Sequence, residues 1–447
     1  MKKIISTALS ICTLVAGTFT STTAQQIAQP AIDSSRTWVQ QHQMPIDITT
    51  YQAFQQPMKP MLNIMAAAQV VGLGEGTHGT SEFQTVRTYI TRYLCEEKGF
   101  TVVCLENSYG WTLQLNKYIQ TGEGNLDTLM KQNLLGMWQN EEIKDLLQWM
   151  LQFNKTHKQK IQLAGIDHSE TTTNAHILQT TLSRLNNPAL NTLLDTLLTR
   201  AGFMDAAYAD MNAPKQIYKW KDIMDNAVKA YELTGHIKTA LDSMTSTMHS
   251  RLAETEIKTV YTTLYNSRLA YYSLYRPVKE QKEASRDEAM ANMVKRIADD
   301  QHNAKVIVWA HNAHLANQSI FGDDSNGGGT GMYLQEYYPG NYFALGTGTA
   351  GGTFSSTIDR FIVSASRFKS NPLSNAITGS WEQIIQSGNN KILFIDLRDK
   401  QYPLPALPLR FTGYGKSSEK DFITSRINKL FDGFIFIPVT QATHIKQ

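Results

Sequence analysis

The chain has 447 residues, enough for a large core and for two or three domains. Apolar residues make up 42% and charged residues 18%, the balance of an ordinary globular protein rather than a disordered or fibrous one. Its 42 Lys and Arg against 39 Asp and Glu give a net charge of +3, and without Lys2 and Lys3 the count is 40 against 39, or +1. A nucleic-acid binder needs a concentrated basic face, which this balance does not supply.

The first element is a leader. "MKKIISTALSICTLVAGTFTSTTAQQ" has a basic start, an apolar run from Ile4 to Ala16 and a small polar stretch ending at Ala24. That layout predicts a signal peptide over residues 1–24 and an exported mature protein, periplasmic or secreted. The apolar run is far short of the ~20 residues that span a bilayer, and no later segment is apolar enough, so stable membrane insertion is not expected. Cys12 leaves with the leader, and bulky Ile11 argues against a lipoprotein site there. Cys95, in a helical pattern, and Cys104, in a strand, read as two buried thiols rather than a disulfide.

"AAQVVGLGE" is an apolar run of strand length ending in glycines. "SEFQTVRTYITRYLCEEKGF" then puts Phe83, Val86, Tyr89, Ile90, Tyr93 and Leu94 on one helical face and stops at Gly99. "TVVCLEN" and "KIQLAGIDHSE" supply two more strands. This alternation predicts an α/β fold with a mainly parallel central sheet flanked by helices. From about Pro188 to Asp300 the segments are long, amphipathic and nearly free of Gly and Pro, which marks an inserted long-helix region able to cap a site. "KVIVWAHNAH" restores a strand, and "YFALGTGTAGGTF", "RFIVSAS", "KILFIDLRD" and "FDGFIFIPV" are further strand candidates. The expected division is therefore 25–187 for the first part of the α/β core, 188–300 for the helical insertion and 301–447 for the second part.

Open parallel sheets bind ligands beyond the carboxyl ends of their strands. The first strand is followed by Glu75 and His78, the second by Glu106 and Asn107. The third delivers Asp167 and His168, and "KVIVWA" delivers His311, Asn312 and His314. Random placement of 11 histidines would rarely bring so many to one rim. Arg87, one turn beyond Phe83, is placed to pair with Glu75 or Glu106. Asp167 reads equally as a helix cap, His168 as structural, and Glu82 as a surface acid. Asn312, His314 and Asp167 are candidates for holding a substrate.

The chain lacks a GxSxG elbow, a GxGxxG and a GxxxxGK[ST]. Gly72, Gly74 and Gly76 form a GxGxG, but Glu75 occupies the loop that a phosphate would approach. Two chemistries remain open. A histidine oriented by a carboxylate can act as general base on water, or the His and Glu residues can hold a metal that acidifies water. HExxH is absent.

The blocks "GEGTHGTSEF", "CLEN", "MWQNEEIKDLLQWMLQFN", "AGIDHSE", "RDEAMANMV" and "VIVWAHNAHL", in this order, resemble the erythromycin esterase family. The resemblance runs from about Leu73 to Gly346 and more weakly to the C-terminus. It implies hydrolysis of the macrolactone ester of 14-membered macrolides, a small-molecule substrate, with no cofactor and no required metal. By that resemblance His78 activates the attacking water, and Glu75 is the acid of the same block. Arg87 and Glu106 match the family's arginine and strand-end glutamate, while His311 and His314 orient substrate or stabilise developing charge. The alternatives are a metal- or haem-binding protein using the same rim, by fold analogy, a silent binder of glycans or lactones, and a hydrolase of another ester.

Overall fold

The structure, a computed structural model, describes residues 29–445 except 212, 214, 283, 321–327, 359–363 and 388–389. The expected signal peptide lies outside the described residues. Twelve strands are found among them: β1 (Gln43–Pro45), β2 (Val70–Glu75), β3 (Val102–Ser108), β4 (Gln162–Asp167), β5 (Val306–His311), β6 (Tyr342–Thr349), β7 (Gly352–Ser356), β8 (Lys369–Leu373), β9 (Leu393–Asp396), β10 (Leu407–Arg410), β11 (Phe422–Ser425) and β12 (Gly433–Ile437). Eight of them form one sheet in the order β1-β9-β12-β6-β2-β5-β3-β4, while β7–β8 and β10–β11 are separate hairpin pairs. From β12 to β4 every neighbouring pair is parallel; at the other edge β9 alone runs against the rest, pairing antiparallel with β12 on one side and β1 on the other. The fold is thus α/β, with a mainly parallel sheet flanked by helices.

The strands are apolar on both faces because helices cover both. Val71, Leu73, Val103, Leu105, Ile307 and Trp309 face one layer, with helices Tyr51–Met65, Ser81–Lys98 and Glu141–Thr156. Val70, Val102, Cys104, Val306 and Val308 alternate to the other, where helix Arg286–Asp300 contributes Met290, Val294 and Ile297. Cys95 belongs to the first layer and Cys104 to the second. The sheet therefore stands between these cysteines, and both are free, buried thiols, as expected.

Helices in the middle of the chain have a core of their own. Helices Thr172–Leu182, Pro188–Asp210, Trp220–Ser243 and Glu254–Lys279 pack Leu178, Leu194, Ala227, Ile237, Val260 and Leu274 together. Pro188 opens the second of these at a position where its missing N–H costs nothing, and Asn187 caps it by accepting from the Leu190 N–H at 3.0 Å. No helix among the described residues is long and apolar enough to cross a membrane.

The expected strand "RFIVSAS" has residues 360–363 outside the described residues, and its last residues enter a 3-10 turn, Ala365–Arg367, capped by the Ser364 side chain.

Candidate active site

Strand order explains why residues far apart in the chain meet. β5 enters between β2 and β3, so Glu75 lies opposite His311 in register, and Leu105 lies opposite Trp309 one position before Glu106. β4 follows on the far side of β3 and ends in Asp167. Four adjacent carboxyl ends thus present Glu75, His311, Glu106 and Asp167.

Beyond Glu75 the backbone turns at once. A side chain on Gly76 would stand 2.5 Å from the Thr347 carbonyl, and Gly79 has φ +69°, so both positions favour glycine. This turn brings His78 back onto Glu75, with Nδ1 2.8 Å from Oε1. The other carboxylate oxygen, Oε2, accepts from Arg87 Nη2 at 2.6 Å. Arg87 is fully buried. Its guanidinium lies 4.5 Å from the Trp309 ring centroid and 5.3 Å from that of Trp138, which offsets part of its lost hydration. Of its two possible partners, Arg87 takes Glu75. With Nδ1–H donated to Glu75, the Nε2 lone pair of His78 remains available.

A second network lies beside the first. Arg286 grips Asp167 with two bonds, Nε to Oδ1 at 3.1 Å and Nη2 to Oδ2 at 2.7 Å, and reaches Glu106 Oε1 at 3.1 Å. His314 Nδ1 lies 2.7 Å from Asp287 Oδ1, and its Nε2 lies 3.3 Å from Glu106 Oε1. Burial works against charge on His314, but Asp287 and Glu106 raise it to about 10, so the ring is an imidazolium donating from both nitrogens. Arg286 Nη1 lies 3.4 Å from Nε2, but both atoms are then donors and make no bond to each other; it is Arg286 Nη2 that shares the Glu106 carboxylate with the ring. Burial alone would raise Glu106, yet His314, Arg286 and His78 hold it well below the usual carboxylate range. Asp167 is likewise lowered, burial being outweighed by Arg286.

His311 is the neutral member. Burial lowers it to about 3, helped by His78 and His314. Nδ1 accepts from the Ala313 N–H at 3.3 Å, and Nε2 donates to the Thr412 carbonyl at 3.2 Å. Its ring is 4.9 Å from that of His78, and the Tyr414 ring stands 5.0 Å from the His78 ring.

The structure therefore brings His78, Glu75, Arg87, Glu106, His311, His314 and Asp167 together. It does not bring in Asn312, a candidate for holding the substrate. That side chain is fully buried, donates to the Thr347 carbonyl at 2.7 Å and accepts from the Thr347 N–H at 3.2 Å. Both ends of the amide are committed to holding β6 beside β2. Asp167 does not cap the next helix, being taken by Arg286. His168 is buried, and burial lowers its pKa.

Sequence reasoning missed Arg286, Asp287, Thr412 and Tyr414. The first two sit in "RDEAMANMV", where Ser285 caps the Glu288 N–H and acids in a first turn read as ordinary helix-start chemistry. Among the described residues no three or more His, Cys, Asp or Glu side chains are placed to hold a metal ion. Glu106 and Asp167 are already engaged by Arg286 and His314.

A parallel α/β sheet carrying a His–carboxylate centre at its strand ends defines a class suited to hydrolysis. More particularly, residues 95–440 match the model of the erythromycin esterase family, and the chain belongs to that family. It is 24% identical to erythromycin esterase type II of Escherichia coli over 435 residues, covering 91% of this chain and 98% of that protein. A Bacillus subtilis protein named as a hydrolase, YbfO, is 23% identical over 387 residues, or 80% of each chain. A solved erythromycin esterase mutant in its open conformation shares the fold, with a TM-score of 0.66 and 18% identity over 91% of this chain and all of that one. Family membership supports a hydrolase.

Proposed function

We propose that this chain is an exported carboxylic ester hydrolase that opens the macrolactone of 14-membered macrolides with water activated by His78. The observation that carries the reading is the Arg87–Glu75–His78 chain, in which each link is buried and within 2.8 Å. Glu75 fixes the ring tautomer and stabilises the imidazolium formed when Nε2 takes a proton from water, as a carboxylate does behind any histidine base. The hydroxide formed attacks the ester carbonyl carbon. Collapse of the tetrahedral intermediate expels the alkoxide, which recovers the proton from Nε2, leaving a hydroxy acid and neutral His78.

His311 supports the same step from the neighbouring strand. Its Nε2–H, bonded to the Thr412 carbonyl, is the donor offered to the carbonyl oxygen when substrate displaces that contact. The fixed charges of His314 and Arg286 keep Glu106 and Asp167 ionised around it. No step requires a metal or other cofactor.

The test is mass spectrometry of erythromycin incubated with chelator-treated protein. Gain of one water supports the reading, and an unchanged macrolide removes this substrate. Export is tested by the intact mass of protein recovered from the cell envelope or medium. Loss of residues 1–24 is expected, and a full-length cytoplasmic product would contradict it.

A further inference from the structure

The loop that carries His78 is held from outside by the C-terminal segment. The Thr443 N–H donates to the Gly79 carbonyl at 3.0 Å, and the Ser81 N–H donates to the Gln441 carbonyl at 2.9 Å. Gln441 in turn donates its N–H to Glu82 Oε2 at 2.9 Å, and Ala442 pairs with Thr80 as an antiparallel bridge. Glu142 closes the arrangement from the opposite side. Its Oε1 accepts from Ser81 Oγ at 2.5 Å and lies 2.8 Å from His444 Nδ1, while the His444 N–H reaches the same carboxylate at 3.3 Å. The segment is itself anchored, since Ser355 donates to both the Gly79 carbonyl at 2.8 Å and the Thr443 carbonyl at 3.1 Å.

The residues immediately after His78 thus lie in no helix or sheet of their own until Ser81. Their backbone groups are bonded by Gln441, Thr443 and Ser355, and Glu142 holds the Ser81 hydroxyl together with His444, which gives a task to the "MWQNEEIKDLL" block that the acid–base chemistry leaves unused. We infer that the 441–444 segment, tied to Glu142, is a positioning strap that sets the imidazole of His78 against Glu75 for catalysis. The inference rests on the proposed role of His78. Glu142 and Thr443 act through the loop and touch no reacting atom.

The test is Thr443→Pro, which removes the N–H bonded to Gly79, beside Thr443→Val, which keeps it. The Thr443 hydroxyl has no hydrogen-bond partner, so the Val variant is expected to hold wild-type activity within about twofold. The Pro variant is expected to lose about 10–100-fold in kcat with KM nearly unchanged, the signature of a displaced catalytic group. A second readout needs no substrate: the NMR titration of the His78 ring, assigned by its loss in His78→Ala, is expected to shift in the Pro variant and not in the Val variant. If Thr443→Pro does not fold, Glu142→Ala takes its place with the same expectations. A folded Thr443→Pro or Glu142→Ala protein with wild-type kcat and an unshifted His78 titration would overturn the strap. If the wild type opens no lactone, the functional reading fails, while the titration still decides the strap.

Discussion

At the residue scale the arrangement turns on Glu75, whose two oxygens serve His78 and Arg87. Glu75→Gln keeps the shape but removes the charge that, among the described residues, is bonded to a fully buried guanidinium. Breaking a buried pair by removing one partner costs about 3–5 kcal/mol. The variant is therefore expected to show that loss in chemical denaturation, together with a large fall in kcat; wild-type stability would contradict the geometry. His314 makes a separate prediction. Its folded pKa is raised from 6.5 to about 10, so its stabilising contribution is fully present below pH 6.5 and is lost as pH rises through 10. His314→Gln is expected to flatten the fall in stability across that window, read from melting temperatures between pH 6 and 10. A slope equal to that of the wild type would rule out the imidazolium. The Glu75–His78 pair was legible in sequence because the two stand three positions apart in a glycine-flanked loop. Arg286 was not, because its partners Asp167 and Glu106 lie 119 and 180 residues away and no local pattern announces them.

Among the elements, the site depends on one insertion, that of β5 between β2 and β3. The strands that carry the site, β2, β3, β4 and β5, were readable from their apolar runs, and so was the polar residue at each end. The order was not, because it depends on where the chain returns after the helical region, and no strand carries that address. The same gap explains Asn312. A polar residue after a strand points either to the rim or to a neighbouring strand, and only the presence of β6 alongside decides. The loop after β2 offers a test at this scale. Gly79→Ala puts a side chain against the Ser355 carbonyl at φ +69°, where an L residue is disfavoured by about 1 kcal/mol or more. Lower stability in denaturant and a matching loss of activity are expected, whereas unchanged values would mean that the loop does not need this turn.

Across the whole molecule, the helices in the middle of the chain form a core that shares no member with either sheet layer. Leu194 is fully buried there, and Leu194→Ala is expected to cost about 2–5 kcal/mol. Activity well below the melting transition is expected to persist, since no hydrogen bond of the rim passes through that residue. Loss of activity in the folded variant would show that these helices shape the site directly. Fold class was readable from the alternation of apolar strands with amphipathic helices. The contacts of residues 441–444 with the loop after His78 were not, because an extended segment of this kind has neither a helical nor a strand period to mark it.

The central claim is that His78 is the base. It is tested most directly by comparing the rate of macrolactone opening, followed by mass spectrometry, for the wild type and a His78→Ala variant of matched melting temperature. The account predicts that the variant folds and falls about 10²–10⁴-fold, the usual contribution of general-base catalysis. A folded variant that opens the ring at the wild-type rate would contradict it.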